Sequence, residues 1–211
     1  MNNASRVING KPVAAGGVAC GPLGTPLPET AVSELDPALI RAGYISEDGV
    51  TKSESRDTNE LKEWGGLTVK RSTTGFAVTL AFQFLEYLNP VGARAIYGEN
   101  AVKVTAATAE HGEQMVVKVS GQEAPHLAWC FDMADGDAHL KVNVPDGQIT
   151  ETGDTPYSNS DGAVRDVTLS AYPDEDGVLI YELTDDGKKT PLVTTANIAS
   201  LTTETAPAPS K

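Results

Sequence analysis

The sequence predicts a mainly β, antiparallel domain with one α-helix and one long β-hairpin. Every second residue from Phe76 to Phe84 is apolar, which is typical of a strand with one buried face. Asp-Gly turn signals recur between further short apolar runs, as in antiparallel sheets. Only residues 87–97 place apolar side chains at helical spacing, and Gly98 follows them as a stop signal.

The hairpin is expected to pair the long strand with the residues just before it. We expect residues 67–71 to be the partner strand, joined through a turn at 72–75. The polar, charged segment 52–63 indicates an exposed loop or a short helix. Because long loops in compact domains usually have a function, we regard Trp64, at its end, as a candidate contact anchor.

The remaining elements are short. Residues 36–43 begin with an Asp-Pro pair and end with glycine, which predicts one or two helical turns. A turn is predicted at 47–49, and another at Pro145–Gly147. Short strands are predicted at 101–104, 115–119, 126–131 and 138–144, followed by a pair, 163–172 with 178–184, joined through 173–177.

The 211 residues suit one domain with extended ends. Residues 1–30 carry so many glycines and prolines that we expect an extended N-terminal arm without a regular element. Residues 31–201 are the expected folded domain, and 202–211 a flexible C-terminal tail. No signal peptide or apolar span is visible, so we expect a soluble protein made in a cytoplasm, with no membrane partner.

The chain is acidic, with a formal net charge of −13. A surface that grips phosphates is therefore not expected. Most of the excess lies between residues 132 and 190. Two interpretations stay open, a solubilising surface with acidic turns, or a repulsive wall that faces something anionic.

The sequence gives no catalytic, cofactor-binding or metal-binding residue, so we expect no enzyme and no cofactor. Cys20 and Cys130 are expected to be free thiols. The three histidines lack partners at ligand spacing, and the acidic cluster 132–137 lacks the spacing of a calcium loop. Trp64 and Trp129 are interpreted as packing residues rather than stacking platforms.

Several short motifs, in order, resemble the major tail proteins of long-tailed actinobacteriophages. The resemblance covers about residues 15–200. It rests on GPLGTPLP (21–28), GYISEDGV (43–50), WGG (64–66), AIYG (95–98), PDGQI (145–149) and VTLSAY (167–172), with the long alternating strand before the helix.

The resemblance implies the phage tail tube fold, an antiparallel β-sandwich with a flanking helix. In that family a long hairpin joins one β-barrel shared between subunits. It also implies a structural virion protein whose hexameric rings stack into a tube that conducts DNA to the host. A barrel closed across subunits would remove the exposed edges of so long a hairpin.

The implied partners are other copies of the chain, the tape measure protein, and the tail terminator and distal tail proteins. DNA would pass through the lumen without specific binding, and the protein would be located in the virion tail after synthesis in the host cytoplasm. The arm and segment 52–63 are expected at ring-to-ring contacts. The candidate intersubunit or ring-stacking residues are Tyr44, Arg56, Asp57, Glu60 and Trp64.

A second hypothesis is a monomeric Ig-like module on the virion that binds carbohydrate or a receptor. It would use Trp64 or Trp129 as its ligand platform. A third, a hydrolase, would need a carboxylate pair that the sequence does not place across a cleft.

Overall fold

The computed structural model describes residues 6–13, 16–160 and 162–188. Within them the chain forms ten strands and one α-helix, α1 (Pro90–Tyr97), which a 3₁₀ turn at Glu99–Ala101 follows. The strands are β1 (Val18–Pro22), β2 (Ile40–Arg41), β3 (Thr51–Lys62), β4 (Thr68–Phe84), β5 (Val102–Thr105), β6 (Gln114–Val117), β7 (His126–Asp135), β8 (Ala138–Thr152), β9 (Arg165–Tyr172) and β10 (Tyr181–Asp185).

Eight strands form one antiparallel sheet in the order β2-β1-β7-β8-β9-β4-β3, with β10 added beside β8. Strands β5 and β6 form a separate two-stranded sheet. The predicted fold class, mainly β and antiparallel with one helix, is confirmed.

The large sheet folds into two layers because β8 changes partners along its length. Strand β10 pairs with residues 139–143 of β8 and β9 pairs with Asp146–Thr152, while β7 pairs with β8 as far as Gln148. The Phe82 ring on β4 lies 5.4 Å from the Phe131 ring on β7, although these strands are not neighbours in the sheet. The two faces therefore pack on each other, and Lys52 on β3 reaches Glu182 on β10 across the layers.

The core confirms the alternation predicted for the long strand. Val78, Leu80, Phe82 and Phe84 are buried, and each such side chain contributes about 1.5–3 kcal/mol when it is removed from water. They share one core with Val167 and Leu169 on the neighbouring strand β9 and with Trp129, Phe131 and Val144 on β7 and β8. Phe76 continues the pattern but is 42% exposed, because it lies on the part of β4 that projects from the body of the domain.

Helix α1 begins later than predicted and ends where predicted. The Asn89 side chain accepts a 2.9 Å hydrogen bond from the Val91 amide, with proline next in the first turn. The helix therefore starts at Pro90 rather than at residue 87. Gly98, with φ +87°, ends it as expected.

The predicted pairing of the hairpin was wrong. Residues 52–63 are neither loop nor helix, because β3 extends over Thr51–Lys62. The turn expected at 72–75 is absent, since β4 continues from Thr68 to Phe84. The partner of the long strand is β3, and the register slips at Asp57/Thr58 and at Leu61/Lys62, as β-bulges do.

Two predictions around β8 were also wrong. Pro145–Gly147 is not a turn but part of β8. Gly147 lies against the Trp129 indole, whose Nε1 donates a 3.1 Å hydrogen bond to the Gly147 carbonyl. Strand β10 pairs with β8 rather than with β9, although the turn at 173–177 is present.

The N-terminal segment is more ordered than the predicted arm. Strand β1 is largely buried and pairs with β7, so the expectation of no regular element before residue 31 was wrong. Lys11 and Asn9 both contact Asp135 at the end of β7. Residues 36–43 form a turn and β2 rather than a helix. The predicted flexible tail, 202–211, lies outside the described residues.

Candidate assembly interface

Half of the β3–β4 hairpin projects from the body of the domain. Strand β9 pairs with β4 only between Val78 and Phe84. Beyond that point, residues 55–62 and 68–77 pair only with each other within the described chain. We call this part the ribbon. At about 3.3 Å per residue it extends about 30 Å, and neither of its outer backbone edges has a partner strand among the residues that the structure describes.

One surface of the hairpin, which we call the charged face, carries alternating charges. The Arg56 guanidinium lies 4.5 Å from the Phe76 ring centre, and Glu60 contacts Arg71 and accepts a 3.1 Å hydrogen bond from Thr68 Oγ1. These side chains lie on the core side of the hairpin, since Phe76 continues the row of Val78.

Lys52 and Glu54 extend the charged face toward the body of the domain. Lys52 Nζ lies 2.9 Å from Glu54 Oε1. The hydrogen bond that Lys52 donates to Glu182, and after it the one that Lys52 donates to Glu54, raise the pKa of Lys52. The same hydrogen bond from Lys52 lowers the pKa of Glu54. Because both groups are close to water, each pair contributes little to stability.

The opposite surface, which we call the hydroxyl face, is lined by short uncharged side chains. Ser53 and Ser55 alternate with Glu54 on β3, and Thr79 and Ala81 alternate with the buried residues of β4. The surface continues over Thr168 on β9 and across the 2.8 Å contact between the hydroxyls of Thr150 and Ser170. Its charged members are Asp57, Glu151 and Asp166, with Lys70 near the end of the ribbon.

The end of the ribbon is apolar. Leu61, Trp64, Leu67 and Val69, which we call the apolar tip, are 61%, 104%, 71% and 62% exposed. The turn that carries them is well defined, because the Glu63 amide donates to the Leu67 carbonyl at 2.9 Å and Gly66 has φ +88°. An apolar cluster held in water in this way is typical of an interaction surface.

The structure brings four of the five candidate contact residues together. Arg56, Asp57 and Glu60 lie on the β3 strand of the ribbon, and Trp64 lies at the apolar tip. Tyr44 lies elsewhere, before β3, where it is 63% exposed and its amide donates a 2.8 Å hydrogen bond to Glu86. Sequence reasoning missed Leu61, Leu67 and Val69, although their apolar character within a polar segment was a usable signal.

Three carboxylates of the acidic stretch 132–190 have separate partners in the structure. Asp132 is buried between Lys141 and Arg41, while Asp135 pairs with Lys11, whose hydrogen bond lowers the pKa of that carboxyl. Asp174 lies in the 173–177 turn and accepts a hydrogen bond from the Tyr181 hydroxyl on β10. This hydrogen bond lowers the pKa of Asp174. These three carboxylates therefore belong to ion pairs or to an acidic turn.

Other candidate chemistries find little support in the described residues. No group of three or more His, Cys, Asp or Glu side chains suited to a metal ion occurs there. Cys20 and Cys130 are buried free thiols, as predicted. Trp129 is fully buried, so it packs the core and offers no platform to a ligand, whereas the packing interpretation was wrong for the exposed Trp64. No helix among the described residues is long and apolar enough to cross a bilayer.

Comparison with known proteins identifies a family. A family model described as phage tail tube protein matches residues 2–194. No curated protein matches the chain. Two of the solved structures similar to it each cover 88% of this chain and 100% of the other. They are the tube-terminating cap of the anti-feeding prophage, at 9% identity and a TM-score of 0.44, and the sheath-tube complex of an extracellular contractile injection system in its extended state, at 10% identity and a TM-score of 0.40.

Proposed function

Because the chain belongs to the phage tail tube protein family, we propose that its copies form hexameric rings, and that these rings stack into the tube through which DNA is ejected into the host. Its role is structural, and we propose that it has no catalytic activity. The observation that carries the proposal is the ribbon, about 30 Å of two-stranded sheet whose edges and tip have no partner within the described chain.

The ribbon is difficult to explain in a solitary molecule. Two-stranded ribbons are marginally stable alone, and long open edges invite pairing with other chains. A ring of copies supplies that pairing in a controlled way, because a head-to-tail contact repeated by rotation closes on itself. The strands of all copies would then form one barrel around the lumen.

The apolar tip is suited to the contact between rings. At the far end of the ribbon, Trp64 and its apolar neighbours would be covered by a copy in the adjacent ring, while Arg56, Asp57 and Glu60 contribute polar contacts along the way. Exposed tryptophan and arginine are the residue types that most often dominate interface energetics. Tyr44, which lies apart from the ribbon, is proposed as a contact between subunits of one ring.

The hydroxyl face is proposed to line the lumen. Each protomer's core packs on the opposite side of the same strands, and the protomer bodies must lie outside the barrel, so the face without a core points inward. This surface presents short hydroxyl and methyl groups, three carboxylates and one lysine. With few cations to hold phosphates, DNA would slide along it without being retained.

The remaining partners are proposed from the family alone. We propose that the assembled tube encloses the tape measure protein and ends at the tail terminator and the distal tail proteins. The protein would be synthesised in the host bacterial cytoplasm and reside in the virion tail. No membrane partner is proposed.

The test is to image purified protein by negative-stain electron microscopy over a range of concentrations, with light scattering to report mass. Six-fold rings or stacked tubes are the expected result. A protein that stays monomeric at high concentration and binds glycans would contradict the proposal and favour the Ig-like binding module instead.

A further inference from the structure

An apolar groove, which we call the β10 groove, lies on the side of β8 and β10 opposite the main core. It has a volume of about 440 Å³. Its walls come from the 24–29 segment, β8 and β10, through Leu27, Pro28, Asn143, Pro145, Tyr181 and Leu183. We propose that residues 189–201 of the same copy return along β10 and fill this groove. Such docking takes place within one copy and is independent of the proposed tube.

Asn143 gives the β10 groove a buried polar group that lacks one hydrogen bond. Its side chain alternates with the core residues Val142 and Val144 and is 2% exposed. Its Nδ2 donates a 2.8 Å hydrogen bond to the Pro28 carbonyl, but its Oδ1 accepts none within the described part of the chain. Because a buried acceptor without a donor is costly, the groove favours an occupant that brings an N–H or O–H group.

The other walls of the β10 groove favour an apolar occupant. Leu27, Pro28, Pro145 and Leu183 present aliphatic groups. The Tyr181 hydroxyl already donates a 2.7 Å hydrogen bond to Asp174. An extended peptide has both of the required properties, since its main chain supplies N–H donors and its side chains fill apolar pockets.

The chain leaves β10 through a bend. The Gly187 amide donates a 2.7 Å hydrogen bond to Asp185 Oδ1, and the Lys188 amide donates one of 3.0 Å to Asp186 Oδ1. Gly187 has φ +70°, a conformation typical of a turn. The chain therefore changes direction at the end of β10 instead of continuing along the line of the strand.

The residues that follow have the length and the composition to reach the β10 groove. Tyr181 and Asp185 are the two ends of β10, about 13 Å apart at about 3.3 Å per residue. Four extended residues after Lys188 cover the same distance. They end at Leu192, which Val193 follows, and these two are the first aliphatic residues after Leu183.

Strand β10 also offers a path for this return. It pairs with β8 alone among the residues that the structure describes, so its other edge is open to an added strand. Pro191 has no N–H and suits an edge position, where that donor is not needed. The family model matches the chain as far as residue 194, so the family pattern continues past the end of β10.

Hydrogen exchange of the full-length wild-type protein, followed by mass spectrometry, tests the docking. The amides of residues 189–201 should exchange at least about tenfold more slowly than those of residues 202–211, because docking opens only transiently. The terminal residues of the same molecule are the internal control. Equal, fast exchange in both segments would overturn the inference.

Two pairs of variants locate the docking site. Leu183→Asp places a charge in the groove and should bring the exchange of residues 189–201 to the rate of 202–211. Thr184→Asp, its neighbour on the opposite face of β10, is the matched control and should retain the protection. Leu192→Asp, with Ala206→Asp as its control, makes the same test from the side of the segment and leaves the described strands unaltered. Protection that survives both Leu183→Asp and Leu192→Asp would place the segment elsewhere and overturn the inference.

Concentration separates docking within one copy from docking between copies. Protection should be equally strong in dilute protein that contains only monomers, because one copy supplies both the segment and the groove. Protection that appears only in rings or tubes would assign the groove to the segment of another copy and overturn the inference. None of these outcomes decides the proposed tube function, which fails only if the wild-type protein forms no ring or tube.

Discussion

Lys141 donates a 2.7 Å hydrogen bond to Asp132, its cross-strand partner, and both side chains are buried where β7 and β8 pair. Arg41 lies 3.2 Å from the other carboxylate oxygen. The pair sits between the core strands and the N-terminal segment, since the backbone of Asp132 also bonds Val13 and Gly17. A buried carboxylate with two cationic partners is costly to disturb.

Lys141→Met is expected to lower the free energy of unfolding by about 3 kcal/mol, because the substitution removes one partner of a buried ion pair and leaves only the partly exposed Arg41 beside Asp132. Urea denaturation followed by circular dichroism measures the change. Lys103→Met, at an exposed position of β5, is the matched control and should stay within about 0.5 kcal/mol of wild type. A loss below about 1 kcal/mol for Lys141→Met would show that Arg41 suffices alone.

Trp64→Ala is expected to leave the protomer stable and to abolish or severely slow tube formation. The side chain is fully exposed in the protomer, so its removal should change the unfolding free energy by less than about 0.5 kcal/mol. Turbidity and negative-stain imaging report assembly, and in the wild type the Trp64 emission should shift to shorter wavelength as the tip is covered. The control is Leu88→Ala, 80% exposed but away from the ribbon. Normal tubes from Trp64→Ala would exclude the tip from the ring contact.

The two thiols should be unreactive in the folded protein near neutral pH. Burial raises the pKa of Cys20 and of Cys130 to about 12 from an ordinary 9.0. A thiol-reactive chromogen at pH 8 should therefore detect none in the native state and two in urea. Since the folded pKa is the higher one, this contribution to stability is complete below about pH 9 and falls as the pH rises toward 12. Rapid labelling of native protein would show that these strands open.

Thr168→Lys is expected to slow genome ejection from virions with intact tails. Thr168 lies on the hydroxyl face, where an added cation in each copy would attract the phosphates of passing DNA, most strongly at low salt. Ala109→Lys, in the exposed connection between β5 and β6, adds the same charge outside that face and should leave ejection unchanged. Equal ejection rates for the two variants would refute the proposed lumen surface.

The core strand was predictable because its two faces meet different environments. One face of the strand packs in the core, through Val78, Leu80, Phe82 and Phe84. The alternation of these apolar residues in the sequence therefore indicates a strand with one buried face. Strand β3 shows no apolar alternation, since neither of its faces is buried in the protomer. Its alternating charged and small side chains gave residues 52–63 a composition typical of a loop. A strand without a buried face leaves little trace in hydrophobic periodicity.

Tertiary packing overrode two local signals. The Pro145–Gly147 sequence has strong turn chemistry, but glycine is needed there because a Cβ on Gly147 would lie 2.8 Å from the Trp129 ring. In the N-terminal segment, proline and glycine do not prevent β1 from pairing with β7.

Of the candidate contact residues, Trp64 was identifiable as a lone aromatic in a polar stretch. The apolar tip around it became visible only once the turn had been placed.

On the proposed ring, the unpaired edges of the ribbon would give assembly the character of a polymerisation. A short arc of copies gains one contact for each subunit added and keeps two unsatisfied ends, whereas the subunit that closes the circle gains two contacts at once. Incomplete arcs should therefore be scarce, and below a threshold concentration the protein should persist as separate subunits. A pre-formed end that presents such edges would then act as a nucleus, and its position would set where the tube starts to grow.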